Sequence, residues 1–428
     1  MSVKRPEFIS KRVKDAGSAK SQRGEKQARS LARKERIVES AIEILALQGV
    51  SGLTHRNVAS RAGVSLAATT YYFESKVDII TAASQLTLRS YTDSFHRVAP
   101  KLRASWDGPH LLRRFAAKLV CNAVERDRIR ALCWAEITLG ANRDNQVFDL
   151  ARHWFSELNV VWVEIAEAAQ LKDPHEHSRS AIDLVIGLLL VTLSLGLSVD
   201  QINSVLLGGE NPIEEWKIAG LDESLAHPSR RLSSKSNETR EKILTAAIDV
   251  LIAGGPDALA YRSVATHAGI SAAGPYYHFP TINSLLAAAQ ARLFNDSKQR
   301  YRFVATEIGE ITDVERLIDR TTTVLVREST EFGNRNLASY AIWLQAARDP
   351  LLRPMIWNVV NDQHGAWNKL LLPLMPQQRA LDPLLAFALF VGKHVRLICT
   401  GSKIEDLANI RREIARDFSS LIASDFWL

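Results

Sequence analysis

The sequence predicts an all-α protein built from two like units in one chain. Apolar residues recur at helical spacing through most of its 428 residues. A stretch of about sixty residues returns in diverged form 206 residues later. No segment shows the alternating pattern with turn signals that marks strands and hairpins.

Residues 1–32 are rich in Lys, Arg, Ser and Gly and poor in apolar residues, which predicts a disordered basic arm. Residues 1–36 hold twelve Lys and Arg against four Asp and Glu, while the remaining 392 residues sum to −1. Long-range attraction to phosphate therefore resides mainly in the arm. A solubilising tail is the plainer reading, but the arm's place directly before the segment described next favours contact with DNA.

Residues 33–92 form the first head. Ile37, Ala41, Ile42 and Leu45 share one face of a helix that closes on Gly49. Thr54 is placed to cap a short second helix with Val58, Ala59 and Ala62 on its buried face. Gly63 suits a left-handed exit, Val64 is apolar inside the turn, and Ser65 can cap a third helix through Tyr72. Two short helices joined by this turn make a helix-turn-helix, whose second helix enters the major groove.

Residues 93–220 continue with helical spacing and form the first body. Gly108 and Pro109 open one segment, Arg130–Gly140 is a second, and Gln146–Leu171 is a long amphipathic third. Ser178–Val199 is nearly apolar all round, as expected of a central or subunit-facing helix. Residues 221–236 are polar, with Pro, Ser and basic residues, and read as a linker spanning at most about 55 Å.

The second head covers residues 237–297 and the second body 298–428. Ile243, Ala247, Ile248, Leu251 and Gly255 repeat the first helix. Arg262, Val264, Ala265, Ala268, Gly269, Ile270 and Ser271 repeat Arg56, Val58, Ala59, Ala62, Gly63, Val64 and Ser65, and Tyr277 and Phe279 repeat Tyr71 and Phe73. The copies are unequal. Ala260 replaces the capping Thr54, Ile282 replaces Lys76, and Gly274 and Pro275 fall early in the reading helix, where proline is tolerated only in the first turn. Leu384–Thr400 is the apolar counterpart of the Leu184–Val199 run.

The ordered set of capping Thr, Arg, Val-Ala, Ala-Gly-Val-Ser, aromatic pair and Phe resembles the helix-turn-helix of the tetracycline-repressor (TetR) family of bacterial transcription regulators, over residues 33–92 and again in the second copy. The resemblance implies three-helix DNA-binding heads, each on a helical body that binds a ligand and dimerises. Carried onto this chain, it gives DNA-facing positions His55, Arg56, Leu66, Ala67, Ala68, Thr70, Tyr71, Tyr72 and Lys76 in head one. In head two they are Tyr261, Arg262, Ala272, Ala273, Gly274, Tyr276, Tyr277 and His278. Arg56 is the strongest candidate for base reading, because arginine takes guanine bidentately. Tyr71, Tyr72 and Lys76 read as positioning contacts to phosphate.

The implied function is a DNA-binding transcriptional regulator, a ligand-responsive repressor whose unequal heads form an intramolecular pseudo-dimer on operator DNA. A homodimer of the fused chain, with four heads, is the other assembly. An architectural DNA-binding protein or an activator without small-molecule sensing is the alternative function. Trp134, Trp154 and Trp162 in the first body, and Trp343, Trp357 and Trp367 in the second, are candidates to line effector pockets or simply to fill the core. The effector is not named by the sequence, and no cofactor is expected.

Enzymatic chemistry finds no support in the residues. Gly208-Gly209 and Gly254-Gly255 lack phosphate-loop spacing, and the histidines around Glu176 (His175 and His177) read as a solvated turn. Cys121, Cys133 and Cys399 lack ligand spacing and are expected to be reduced core residues. The N-terminus is charged, and Leu184–Val199 falls short of the roughly twenty residues a membrane span needs. A cytoplasmic protein with no membrane partner is expected.

Overall fold

A computed structural model describes residues 8–104, 110–217, 234–401 and 404–422. The first unit comprises α1 (Phe8–Gly52), α2 (His55–Ala62), α3 (Leu66–Tyr72), α4 (Lys76–Ala104), α5 (His110–Val124), α6 (Arg128–Leu139), α7 (Asn145–Ala168), α8 (Pro174–Leu195), α9 (Val199–Leu206) and the single turn α10 (Pro212–Glu215). The second repeats it with α11 (Ser234–Gly254), α12 (Tyr261–Ala268), α13 (Gly274–His278), α14 (Ile282–Ile308), α15 (Val314–Thr330), α16 (Gly333–Arg348), α17 (Arg353–Leu371), α18 (Asp382–Thr400) and α19 (Ile404–Ile422). There is no strand among the described residues.

Three expectations change. The helix expected from about residue 33 begins at Phe8, so most of the segment read as a disordered arm is helical; residues 1–7 lie outside the described set. The Ala, Arg, Lys, Gln and Glu that make this segment basic and polar are also good helix formers. The borders drawn at 92 and 297 fall inside α4 and α14, so each head shares one unbroken helix with its body. His175 and His177 lie in the first turns of α8 and not in a loop. Between them Glu176 pairs with Arg416 of α19. Residues 221–233 of the expected linker, the preceding 218–220 and the Gly108-Pro109 opening lie outside the described residues.

One contiguous set of buried apolar side chains runs through both units, and its broadest helix–helix contact is α8 against α18. Glycine permits the closeness. A Cβ built at Gly187 would lie 1.9 Å from the Ala388 carbonyl oxygen, and one at Gly392 would lie 1.7 Å from that of Asp183. Each helix thus offers a glycine where the other's backbone comes nearest. Both helices are long and apolar enough to cross a membrane by length and composition, but here 89% and 83% of their apolar windows are buried inside the protein.

The seam also carries charge. Lys393 Nζ of α18 lies 2.8 Å from Asp183 Oδ2 of α8, 3.0 Å from Glu413 Oε2 and 3.2 Å from Asp417 Oδ2. Arg396 meets the same Asp183 at 2.7 Å and Glu413 at 2.6 Å. Arg179 meets the other oxygen of Glu413 at 2.8 Å, and Ser180 donates to Asp417. Two cations flanking a carboxylate that is 0% exposed satisfy the rule that buried charge must be paired and hydrogen-bonded.

The three cysteines are free and buried. Burial pushes the Cys133 thiol up to about 12, and Cys399 Sγ donates to the Thr138 carbonyl across the units at 3.2 Å.

Candidate nucleic-acid interface

In the first head, Thr54 Oγ1 accepts from Asn57 N at 3.1 Å and starts α2. Gly63 leaves that helix in the left-handed region at φ 62°. Ser65 Oγ then accepts from Ala68 N at 3.2 Å and starts α3. Val58, Ala62, Phe73 and the half-buried Val64 pack on the face of α1 carrying Ile37, Ala41 and Leu45. Lys34 sits over the Phe73 ring at 5.6 Å; 206 residues later Arg240 sits over Phe279 at 4.3 Å. These paired cations escaped the sequence reading, although both ring and cation recur at the repeat spacing.

With the helices fixed, Leu66, Ala67, Thr70 and Tyr71 fall on one face at helical spacing, and all four are exposed, Tyr71 at 81%. Arg56 is exposed and has no ion-pair partner among the described residues. Ala68 and Tyr72 are half-buried, and the Tyr72 hydroxyl shares a 2.8 Å hydrogen bond with Ser30 Oγ of α1.

Two further predicted positions are half-buried. His55 Nδ1 lies 3.3 Å from Thr69 Oγ1, a buried hydroxyl that the sequence reading passed over. Lys76 is half-buried at the start of α4, where burial lowers its ammonium below the usual lysine range and Asp257 and Glu136 are the acids that act on it.

The second head keeps the frame with weaker fastenings. Ala260 has no oxygen to cap α12; Ser263 Oγ accepts from Ala260 N at 3.2 Å, which is half of a capping box. The reading helix α13 has five residues against seven in α3, with the buried Pro275 in its first turn. Ala272, Ala273, Tyr276 and Tyr277 are exposed, Tyr277 at 79%, as is Arg262. Gly274 and His278 are half-buried, and burial together with Arg240 depresses the imidazole of His278. Tyr261 turns inward: its hydroxyl donates to the Phe279 carbonyl at 2.7 Å. Tyr71 and Tyr277 are the most exposed large hydrophobic side chains among the described residues of the heads.

Behind each head lies a cavity bounded by the helix that meets the other unit. In the first body Trp134, Trp154 and Trp162 line a space of about 70 Å³ with Tyr91, Phe95 and Ile186. The indole nitrogen of Trp154 donates to Ser84 at 2.8 Å, whereas that of Trp134 is buried without a partner. In the second body Trp343 lines a cavity of about 40 Å³ and Trp367 lines one of about 520 Å³. Trp357 is a core residue, 3% exposed.

Comparison with known proteins matches this geometry. The family described as "Bacterial regulatory proteins, tetR family" matches residues 37–83 and again 243–289. A "Tetracyclin repressor-like, C-terminal domain" matches residues 312–421. An uncharacterised HTH-type transcriptional regulator in the dhlA 5′ region of Xanthobacter autotrophicus is 29% identical over 182 residues, covering 41% of this chain and 87% of that protein. The HTH-type nicotine-responsive transcriptional repressor HdnoR of Paenarthrobacter nicotinovorans is 28% identical over 128 residues, covering 29% of this chain and 62% of its own length. Among solved structures, the multidrug binding protein EbrR in complex with imidazole is 22% identical, with a TM-score of 0.36, covering 45% of this chain and 96% of that one. The two sequence relatives, both described as HTH-type transcriptional regulators or repressors, favour a regulator over an architectural protein. Two helix-turn-helix heads in register, each matched separately by the same family, place this chain in the TetR family as a tandem of two such units acting as a DNA-binding transcriptional regulator.

Proposed function

We propose that one chain works as an intramolecular pseudo-dimer. Its two heads sit on unlike half-sites of an imperfectly palindromic operator, and it represses in the cytoplasm until a small molecule bound in a body shifts the heads. The single observation that carries this reading is the buried grouping of Asp183 with Lys393 and Arg396. It joins unlike residues of the two units, so a unit facing its own copy would lack one of the partners. Covalent linkage adds an effective concentration in the millimolar range for the second head.

Within this reading Arg56 and Arg262 contact bases, while Tyr71 and Tyr277 position the heads on phosphate. Leu66, Ala67 and Thr70, with Ala272, Ala273 and Tyr276, make the remaining surface. Ligand control is supported by the cavities beside α8 and α18 and by the relative named as a nicotine-responsive repressor. A coupling of roughly 1–3 kcal/mol between ligand and DNA is enough to release the operator.

The test is the mass of the chain bound to a duplex selected from random DNA, followed by footprinting with each head altered in turn. One chain of 47.6 kDa per operator, with a different half-site lost for each altered head, supports the reading. Two chains and four heads per operator, or identical half-site losses, overturns it.

A further inference from the structure

The cavity of about 520 Å³ in the second body has a feature the first body lacks: a rim of cations over an apolar floor. Lys298, Arg302, Arg320 and Lys369 line it, with Asp362 as the only acid. Asp362 is already engaged, its Oδ1 lying 2.6 Å from Lys298 Nζ. Arg302, Arg320 and Lys369 have no ion-pair partner among the described residues. Arg320 is half-buried, and desolvation pulls its guanidinium below the usual arginine range. The floor is aromatic: Phe390 stands 6.2 Å from both Tyr301 and Trp367, ring centre to ring centre.

The first unit does not repeat this arrangement. At the matching positions of α4, 206 residues earlier, Thr92 and His96 replace Lys298 and Arg302, and His96 is closed by Glu164 at 2.8 Å.

We propose that this cavity is the effector site of the second unit, and that it takes an organic anion with an apolar body: a carboxylate on an aromatic or medium-chain aliphatic skeleton. A partly desolvated guanidinium without a counter-ion is electrostatically costly, and a carboxylate entering beside it removes that cost through charge-assisted hydrogen bonds. The aromatic floor buries the skeleton, and the volume lies within the range of small-molecule sites. A cationic or neutral ligand of the same shape gains only the floor.

This proposal rests on the reading that the bodies sense small molecules, and the experiment separates the two. Isothermal calorimetry on the full chain compares 2-naphthoate and decanoate with 2-naphthalenemethanol, decanol and decylamine. The expected result is that at least one acid binds tenfold or more tightly than its neutral analogue, that decylamine does not bind, and that affinity for the acid falls as salt is raised. Arg320→Gln and Lys369→Gln each weaken acid binding about tenfold with unchanged far-UV circular dichroism. If a variant fails to fold, the salt dependence and the neutral analogues decide on the native chain. Equal affinity for acid and alcohol, or no binding of either acid, overturns the site. An acid that binds as described yet leaves the chain on its operator supports the site and counts against ligand-released repression. Absence of acid binding leaves that reading standing on the first unit's aromatic cavity.

Discussion

Arg348 of the second unit places Nη2 2.6 Å from Glu136 Oε2 of the first, and the same guanidinium donates to the carbonyls of Ala46 at 2.8 Å and Leu45 at 3.0 Å. Those carbonyls close α1, the first helix of head one, where a cation meets the negative end of the helix. Glu136 completes the joint by accepting from Val50 N at 3.1 Å. The end of one head's leading helix is therefore held by a residue from each body. Arg143, 205 residues before Arg348, reaches the other way. A Cβ at Gly255, where α11 ends, would lie 2.9 Å from Arg143 Nη1. A shift between the bodies therefore moves the heads directly.

Arg348→Met removes four hydrogen bonds, to Ala46, Leu45, Gln345 and Glu136, and leaves Glu136, nearly buried, without its counter-ion. Breaking such a pair costs roughly 3 kcal/mol, and the unfolding midpoint in urea should drop accordingly. Arg143→Met should cost less, because Arg143 forms no ion pair among the described residues. Equal losses for the two would mean that the joint is symmetric.

Asp183→Asn removes the α8 carboxylate that Lys393 and Arg396 share. Glu413 and Asp417 remain, so the cations are under-compensated and not bare. A loss of about 3 kcal/mol is expected, together with faster hydrogen exchange along α8 and α18. A loss under about 1 kcal/mol would show that the seam is held by apolar packing alone.

Gly187→Leu forces a side chain into the Ala388 backbone, and this backbone cannot rotate away. Overpacking of this kind costs on the order of 3 kcal/mol, and here it also pries the two units apart. Small-angle scattering should record a larger radius of gyration. The same substitution at the exposed Gly63, where nothing stands within 4 Å of a Cβ, strains only the positive φ and should leave the radius unchanged.

The architecture was legible because a helix-turn-helix is written in local chemistry: a capping Thr, a left-handed Gly and an aromatic pair, all within about twenty residues. The repeat then supplied a second reading of each position. The acids around Lys76 were not legible, since Asp257 and Glu136 arrive from distant parts of the chain. Nor was the seam's chemistry. In sequence Asp183 merely precedes the apolar run Leu184–Val199, and Lys393 and Arg396 stand inside its counterpart without evident partners until α8 and α18 cross. The helix from Phe8 was misread because polarity alone does not distinguish a solvated helix from a disordered segment.

The second body contains a histidine that should make stability depend on pH. His394 is fully buried beside Tyr340, with Nδ1 3.0 Å from the tyrosine hydroxyl and Nε2 3.5 Å from Asn336 Nδ2. Glu328 and Arg300 are the charged groups facing it, and burial depresses its imidazole to about 4. Between about pH 6.5 and about pH 4 the unfolded chain therefore binds a proton that the folded chain does not. The stability this histidine contributes is complete above about 6.5 and is lost as pH falls through that window, by roughly 3 kcal/mol. His394→Gln should flatten the fall in urea midpoint between pH 6.5 and 4; an unchanged slope would assign the acid sensitivity to other groups.

The heads give the most direct check on what the chain does. Arg56 and Arg262 are exposed and occupy the same register in unequal surroundings: α2, which carries Arg56, is capped by Thr54 Oγ1, whereas α12, which carries Arg262, starts at Ala260, which has no capping oxygen. A better-fixed helix holds its side chains closer to a base edge. Arg56→Ala should therefore cost about 2 kcal/mol on the selected operator and relax base preference in one half-site. Arg262→Ala should cost about 1 kcal/mol and act on the other half-site. Competition binding at two salt concentrations separates base reading from phosphate attraction, because loss of a phosphate contact lowers the salt slope by about one and loss of a base contact does not. If the double variant binds every duplex as the native chain does, the heads are packing devices, and the exposure of Tyr71 and Tyr277 would need another cause.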